Sequence, residues 1–353
     1  MLNNTIFSQQ AINELLDWYR VNRRDLPWRN TNDPYRIWLS EIMLQQTRVE
    51  AVKPYYARFL EACPTVRALA ELPEEQLMKL WEGLGYYSRA RNLQKAARTV
   101  MEKHGGVLPP SYEELRALSG IGEYTAGAIA SIAFGIRVPA IDGNVLRVLA
   151  RVSGSYDDIA APETKRRFRE WLLPLVPKSA GDFTQSLIEL GATVCVPNGP
   201  PKCNHCPLAP YCTANLQHLT DEIPVRSAKK ARRIQPLTVL LIRDGDRTAL
   251  RKRPETGLLA GLYELPNVNG HLTESEIPAY IRTLGFEPLR ITPIEDAKHI
   301  FTHIEWHMIA YDVRIAAEFD GWHAQSGMLL VPNDELHKHY AIPSAFSAYK
   351  KHL

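Results

Sequence analysis

The chain is predicted to hold an all-α domain followed by an α+β domain, and three observations carry that reading. At 353 residues it is longer than one ordinary core supports, so two domains are expected. From Ser8 to about Leu190 apolar residues recur with a helical period, and beyond Pro236 the texture changes to short runs rich in β-branched and aromatic residues. With 23% charged and 45% hydrophobic residues, the composition is that of folded domains.

Taken in order, the stretches AINELLDWYR, EEQLMKLWEGL and SRARNLQKAARTVMEKH read as amphipathic helices punctuated by Pro and Gly. The segment EELRALSGIGEYTAGAIASIAFG, about residues 112–136, pairs two further helices across Ser119-Gly120-Ile121-Gly122. A cysteine-rich loop at 195–212 closes this first domain, residues 1–215. Residues 216–235 are polar and basic with one Pro and read as a linker, in which Lys229, Lys230, Arg232 and Arg233 form a solvated run. From 236 to 353, LTVLLIRD, TALRKR, LYELPNV, HIFTHIEWHMIAYDVRI and GMLLVP look like strands, with helices near 274–284 and 343–351. No solenoid repeat and no low-complexity segment interrupts this pattern.

The N-terminus MLNNTIFSQQ does not read as a signal peptide, and no apolar run reaches the ~18 residues of a membrane span. A soluble, cytoplasmic protein is expected. A net charge of +3 permits nucleic-acid binding without demonstrating it, because composition averages over every face.

Four of the five cysteines, Cys195, Cys203, Cys206 and Cys212, fall in CVPNGPPKCNHCPLAPYC with spacing C-x7-C-x2-C-x5-C. Four thiolates so placed suit either a [4Fe-4S] cluster or a tetrahedral zinc ion. Disulfides are disfavoured without a secretory context. Cys63, flanked by Ala62 and Pro64, reads as a small core thiol. In the hairpin, Gly120 and Gly122 leave backbone N–H groups uncovered at a helix N-terminus, which suits a phosphate oxygen, although a short turn between helices wants glycine for conformational reasons alone.

Together, LSGIGEYTAGAI, VPAIDGNVLRVLAR and the cysteine loop resemble the helix-hairpin-helix DNA glycosylases of the endonuclease III superfamily, and the resemblance covers nearly the whole first domain. It implies a [4Fe-4S] cluster on the four cysteines and a hairpin that grips double-stranded DNA by its backbone without reading sequence. The family's first cysteine spacing is commonly C-x6-C; the additional residue here falls in a Pro/Gly loop able to absorb it.

Cleaving a base from C1′ through an oxocarbenium-like state calls for one protonated carboxyl to assist the leaving base and one anion beside the developing positive charge. Asp142 precedes the helical run GNVLRVLARV, where a helix N-terminus favours the charged form; it reads equally as an ordinary N-cap, and the resemblance assigns it the catalytic role. Glu41 lies in YRIWLSEIMLQQT among apolar neighbours, with Ile37 and Leu44 on its own face, which predicts a raised pKa; a plain ion pair with Arg36 or Arg48 is the alternative. In the MutY-type A/G mismatch branch this segment carries the catalytic glutamate. Tyr124 stands where strand-cutting members carry a lysine, so no amine is available for a Schiff base and a monofunctional enzyme is implied.

Further matches to that branch imply further roles. In RRDLPWR, Trp28 would line the face of an extruded adenine, with Arg24 and Arg29 in polar contact. Gln46 and Thr47, and Leu84 and Tyr86 in the Gly83–Tyr87 loop, would enter the duplex and touch the partner base. Asn144 would hydrogen-bond in the pocket. RKRPETGLLAGLYELPNV is similar to the branch's Nudix-like C-terminal domain; it lacks the REx2EExG carboxylate helix of a hydrolase, so binding without hydrolysis is expected, with Phe301, Thr302 and His303 meeting 8-oxoguanine. The resemblance thus implies a monomeric adenine glycosylase acting on A:8-oxoguanine and A:G pairs in duplex DNA. The rivals are a pyrimidine glycosylase with lyase activity, a non-catalytic iron-sulfur DNA-binding protein and a small-molecule Nudix hydrolase.

Overall fold

The computed structural model describes residues 7–228, 231–316, 321–323 and 326–353. Lys229 and Lys230 of the basic run lie outside them. The chain divides into two compact units that do not follow chain order: one holds residues up to Glu71 and from Arg91 to Ala228, the other holds Leu72–Ala90 with the chain beyond Ala228.

The helices in order are α1 (Gln9–Asn22), α2 (Pro34–Leu44), α3 (Val49–Ala62), α4 (Val66–Glu71), α5 (Glu74–Trp81), α6 (Ser88–Lys103), α7 (Tyr112–Ala117), α8 (Glu123–Phe134), α9 (Gly143–Ser153), α10 (Pro162–Leu172), α11 (Ala180–Thr193) and the single turn α12 (Thr213–Leu216). Their ends carry the expected signals. Ser8 caps α1, Asp33 caps α2 ahead of Pro34, Ser111 caps α7, and Gly135 and Gly154 end α8 and α9 in the left-handed conformation. In the first unit, Leu15 of α1, Val145 and Leu149 of α9, Phe168 of α10 and Phe183 and Leu187 of α11 share one apolar core.

The segment read as a linker is not a free tether. Ile223 is buried, Arg151 Nε donates to its carbonyl at 2.8 Å, and Val225 O accepts from Ile159 N at 3.1 Å, so this stretch is fixed to the helical unit. Its far end, from Arg233, already belongs to a strand.

The second unit is built on a mixed sheet with strands β1 (Arg233–Asp244), β2 (Arg247–Lys252), β3 (Tyr263–Glu264), β4 (Asn267–Asn269), β5 (Pro288–Ile300), β6 (Ile304–Ile315), β7 (Gly321–His323) and β8 (Met328–Pro332). The order is β5-β6-β1-β2-β8-β7, with β3 on β2 and β4 on β1, and β1 runs parallel to β6. The run LTVLLI in β1 is buried throughout because both faces are covered: Leu237, Val239 and Leu241 join Trp306 and Phe346 on one side, while Leu240 and Ile242 join Ile277 and Ile281 on the other. Helix α13 (Ile277–Thr283) lies on the second face and α14 (Asn333–His339) follows β8. The run HIFTHIEWHMIAYDVRI is not one strand; it breaks at Phe301–His303, a tight turn closed by Phe301 N donating to Ile304 O at 2.9 Å. Residues 344–352 form 3-10 turns. The first helix after Gly261, α13, carries no carboxylate in its sequence IPAYIRT.

Helix α5 packs within this second unit. Lys350 Nζ donates to Glu82 Oε1 at 2.5 Å, and Lys79 Nζ to Tyr340 O at 3.2 Å.

Candidate active site

Helices α2, α8 and α9 deliver the three groups singled out above to one place. Glu41 sits in the C-terminal half of α2, where every residue from Ile37 to Met43 is buried, and is itself only 7% exposed. Tyr124, in the first turn of α8, donates its hydroxyl to Glu41 Oε2 at 2.8 Å. Burial raises the Glu41 carboxyl to about 7; the hydrogen bond from Tyr124 opposes that rise and the charge of Asp142 adds to it. The ion-pair alternative falls away at Arg36, which lies 3.6 Å from Asp33 instead. Burial and the two carboxylates hold the Tyr124 hydroxyl well above its ordinary value, so it remains a donor.

Asp142 is the N-cap of α9. Its Oδ1 accepts from the backbone amides of Asn144 and Val145 at 2.9 and 2.8 Å, and its Oδ2 accepts from Asn144 Nδ2 at 2.7 Å. The helix N-terminus favours the charged form of Asp142, as expected, but burial acts more strongly in the other direction. Burial raises the carboxyl above its ordinary value, and the three donors only partly offset this. Asn144 is more than a first-turn residue: its Oδ1 accepts from Arg147 Nη2 at 2.9 Å, and Arg147 also donates to Cys195 O and Gly191 O, each at 2.7 Å. A continuous set of hydrogen bonds therefore joins Asp142 to the start of the cysteine loop. Helix α11 comes close enough for this because residue 191 is glycine; a Cβ there would sit 2.6 Å from Asn144 Cβ. An open groove of about 980 Å³ leads away from Asp142 past Arg147, Lys165 and Arg226.

Arg24 and Arg29 are not free polar groups facing a pocket. Both are held by Glu189, a fully buried carboxylate on α11 that sequence reasoning missed. Arg24 binds it through Nε and Nη2, both at 2.8 Å, and Arg29 through Nη2 at 2.7 Å. Burial pushes Glu189 up, but the hydrogen bonds from the two guanidinium groups overcome it and leave the carboxyl at about 2. The missed signal is an acid inside the apolar run SLIELGA, the same cue that marks Glu41. Trp28 is buried with its ring edge-to-face against Tyr56, 5.4 Å between centroids.

Of the residues assigned to DNA, Gln46 lies exposed just past α2 with φ 57°, a conformation that a non-glycine residue adopts at some cost. Thr47 beside it donates to Gln45 O at 3.3 Å. Gly120 has φ 76°, and a Cβ there would meet Asn92 Cβ at 2.7 Å, so glycine is required on two grounds; Gly122, the N-cap of α8, faces open space. Leu84 is 6% exposed and faces the inner side of its loop, whereas Tyr86 is 48% exposed. In the β5–β6 turn, Thr302 and His303 are exposed, and Phe301 is half-buried against Trp306, 4.8 Å between centroids. Thr302 Oγ1 and the Tyr86 hydroxyl lie 3.0 Å apart.

The four cysteines line a single small chamber with Val148 and Val194. Arg151 Nη1 donates to Cys195 Sγ at 3.3 Å, and Cys212 Sγ donates to Arg151 O at 3.4 Å. Burial pushes the thiols of Cys206 and Cys212 up to about 12 and 11. Among the described residues, no three His, Cys, Asp or Glu side chains gather closely enough to hold one metal ion. No helix there is long and apolar enough to cross a membrane.

Residues 39–174 match the model of the HhH-GPD superfamily base excision DNA repair proteins, and residues 238–352 match that of the NUDIX domain. The chain is 41% identical over 295 residues to an adenine DNA glycosylase of Arabidopsis thaliana, covering 72% of this chain and 46% of that one. It is 36% identical over 363 residues to an adenine DNA glycosylase of Rattus norvegicus, covering 86% of this chain and 70% of that one. A solved structure of a thermostable thymine-DNA glycosylase superposes with a TM-score of 0.52 at 29% identity, over 58% of this chain and 95% of that one.

Proposed function

The chain belongs to the adenine DNA glycosylases, and on that premise we propose that it excises adenine paired with 8-oxoguanine or guanine from duplex DNA and leaves the strand intact. The observation that carries this reading is the grouping of a carboxyl poised near pH 7, a tyrosine hydroxyl and a capped aspartate at one site. Glu41, protonated in an appreciable fraction of molecules near neutrality, protonates the flipped adenine at N7, so that it departs as a neutral base. Asp142, steadied by three donors, faces the oxocarbenium ion as an anion until water adds at C1′. Tyr124 keeps the Glu41 carboxyl oriented and carries no amine, so no imine forms there.

Four thiols around one chamber, in a chain of this family, support a [4Fe-4S] cluster on Cys195, Cys203, Cys206 and Cys212. Bound there, it would hold the loop that Arg147 and Arg151 tie to α9. Glu189 is read as the anchor that fixes Arg24 and Arg29, and through them the wall around Trp28. Gln46, Thr47 and Tyr86 would contact the DNA around the flipped base, and the Phe301–His303 turn would meet 8-oxoguanine. The protein is read as a monomer acting on DNA in the cytoplasm.

The test is incubation with duplexes holding A:8-oxoguanine, A:G, A:T and thymine glycol, with base release and strand cleavage scored separately. Release of adenine from the first two, with breaks only after alkali and little borohydride trapping, is expected. Release of the oxidised pyrimidine, or efficient trapping through a lysine, would overturn the reading.

A further inference from the structure

We infer that Arg89 is a positioning residue that sets the shape of the Gly83–Tyr87 loop, and with it the placement of the exposed Tyr86 ring. This loop strings together unfavourable backbone: φ is 100° at Gly83, 68° at Gly85 and 48° at Tyr86. Glycine accepts such angles readily, but Tyr86 does not, so something outside the loop must hold it there.

Arg89, in the first turn of α6, is 8% exposed and reaches under the loop. Its Nη2 donates to Leu84 O at 2.9 Å and Gly85 O at 3.1 Å, and its backbone amide donates to Tyr86 O at 2.9 Å. Three consecutive carbonyls of the loop are therefore bound by one residue. The guanidinium also lies 5.3 Å from the Trp81 ring centroid and 5.7 Å from that of Tyr86, stacked where both rings offer their electron-rich faces. Trp81 joins in, its Nε1 donating to Gly85 O at 3.1 Å. Burial lowers the Arg89 pKa to about 10, a cost that only a fixed set of acceptors and rings offsets. A lysine cannot reproduce the arrangement, because an ammonium is a single compact charge without a planar fork to meet adjacent carbonyls and lie against two rings.

The consequence for function rests on the reading that Tyr86 contacts the base opposite adenine. Its hydroxyl is 3.0 Å from Thr302 Oγ1, so the ring is held from the Arg89 side and its tip points toward the turn proposed to read 8-oxoguanine. Arg89 touches neither the carboxylates nor adenine in this scheme. Its loss should weaken recognition and spare the chemical step.

The experiment uses the full chain with Arg89→Lys, Arg89→Gln and, as a reference, Tyr86→Leu. Three quantities are measured: hydrogen exchange of the amides of residues 83–88 and of α8, the Kd for an A:8-oxoguanine duplex carrying a non-cleavable adenine analogue, and the single-turnover rate at saturating enzyme. Both Arg89 variants should speed exchange in the loop but not in α8. Each should raise Kd by about tenfold, the scale of one lost hydrogen bond to a charged group, while the saturated rate stays within about twofold. The lysine variant, which keeps the charge and is the least disruptive to folding, should fail to rescue. Wild-type loop exchange and Kd in Arg89→Lys would overturn the inference, as would faster exchange that spreads equally to α8. An unchanged Kd in Tyr86→Leu alongside a loosened loop in the Arg89 variants would instead retire the partner-base role of Tyr86 and leave the hold of Arg89 on the loop standing.

Discussion

The surroundings of Glu41 and the turn at Thr302 put polar groups to opposite uses. Glu41 is almost wholly buried, one of its oxygens is engaged by Tyr124, and nearby Asp142 accepts from three donors. Thr302 stands exposed on a two-residue turn, its hydroxyl 3.0 Å from that of the exposed Tyr86. Chemistry at a base needs a titration moved to the working pH, which burial accomplishes; inspection of a base needs donors and acceptors that exchange water for ligand at small cost, which exposure permits. Removing a carboxylate from the first region should therefore cost rate on every substrate, and removing a group from the second should cost preference among substrates.

The largest effect that would sharpen or break this contrast is expected at the carboxylates. Glu41→Gln should slow single-turnover excision by roughly 10²- to 10⁴-fold, the span of general acid catalysis, with duplex binding kept. Because the acid works protonated and titrates at about 7, wild-type excision should fall as pH rises through that value, and this limb should vanish in the residual activity of the variant. Asp142→Asn should be similarly slow while melting almost as the wild type does, since Asn caps a helix about as well as Asp. Near-normal excision by either variant would mean that the carboxylates are misassigned.

Next in size is removal of the chain beyond Ala228. Were the second unit only a reader, the preference for A:8-oxoguanine would be lost and excision from A:G spared. Yet α5 and its following loop pack on that unit through Lys350 and the Tyr340 carbonyl, so A:G excision is expected to fall too, on the order of tenfold, with a further ~1 to 3 kcal/mol lost on A:8-oxoguanine. An A:G rate equal to that of the full chain would show that the loop holds its shape unaided. Smaller still, Thr302→Val should cost about 1 kcal/mol on A:8-oxoguanine and nothing measurable on A:G, read as a ratio of dissociation constants. The smallest change is expected from Tyr124→Phe. Its hydroxyl lowers the Glu41 pKa, so its removal should shift the alkaline limb to higher pH and leave the rate at acidic pH nearly unchanged.

Much of this molecule was legible before its structure, and the gaps have a common physical cause. The cysteine spacing, the Gly-Ile-Gly hairpin and the apolar surroundings of Glu41 are local patterns, and each lies where the pattern placed it. Partnerships across long separations are not local. Arg24 and Arg29 carry no mark of the acid 165 and 160 residues away that claims them. Arginines 89, 147 and 151 are buried although their residue type is usually solvated, because each spends its fork on backbone carbonyls that composition does not reveal. Strand β5 carries no local strand signature, since PLRITPIEDAKHI mixes prolines and acids into an exposed edge, where neither is penalised as it would be in a central strand. Leu84 and Tyr86 share one loop, but a loop has two sides, and nothing local in the sequence marks the apolar residue as the inward one.

The glycine at position 191 has a bearing on how variation in this chain would be scored. It touches no substrate in the proposed scheme and supplies no proton, yet a single methyl group there would collide with Asn144 and displace the carbonyl that Arg147 grasps. In a saturation screen for mutator phenotype, every replacement at Gly191 would rank beside those at Asp142. Position-by-position sensitivity would thus draw the boundary of the catalytic centre one helix too wide, and only comparison of inactive variants for retained fold and retained duplex binding would separate the residue that reacts from the one that makes room for it.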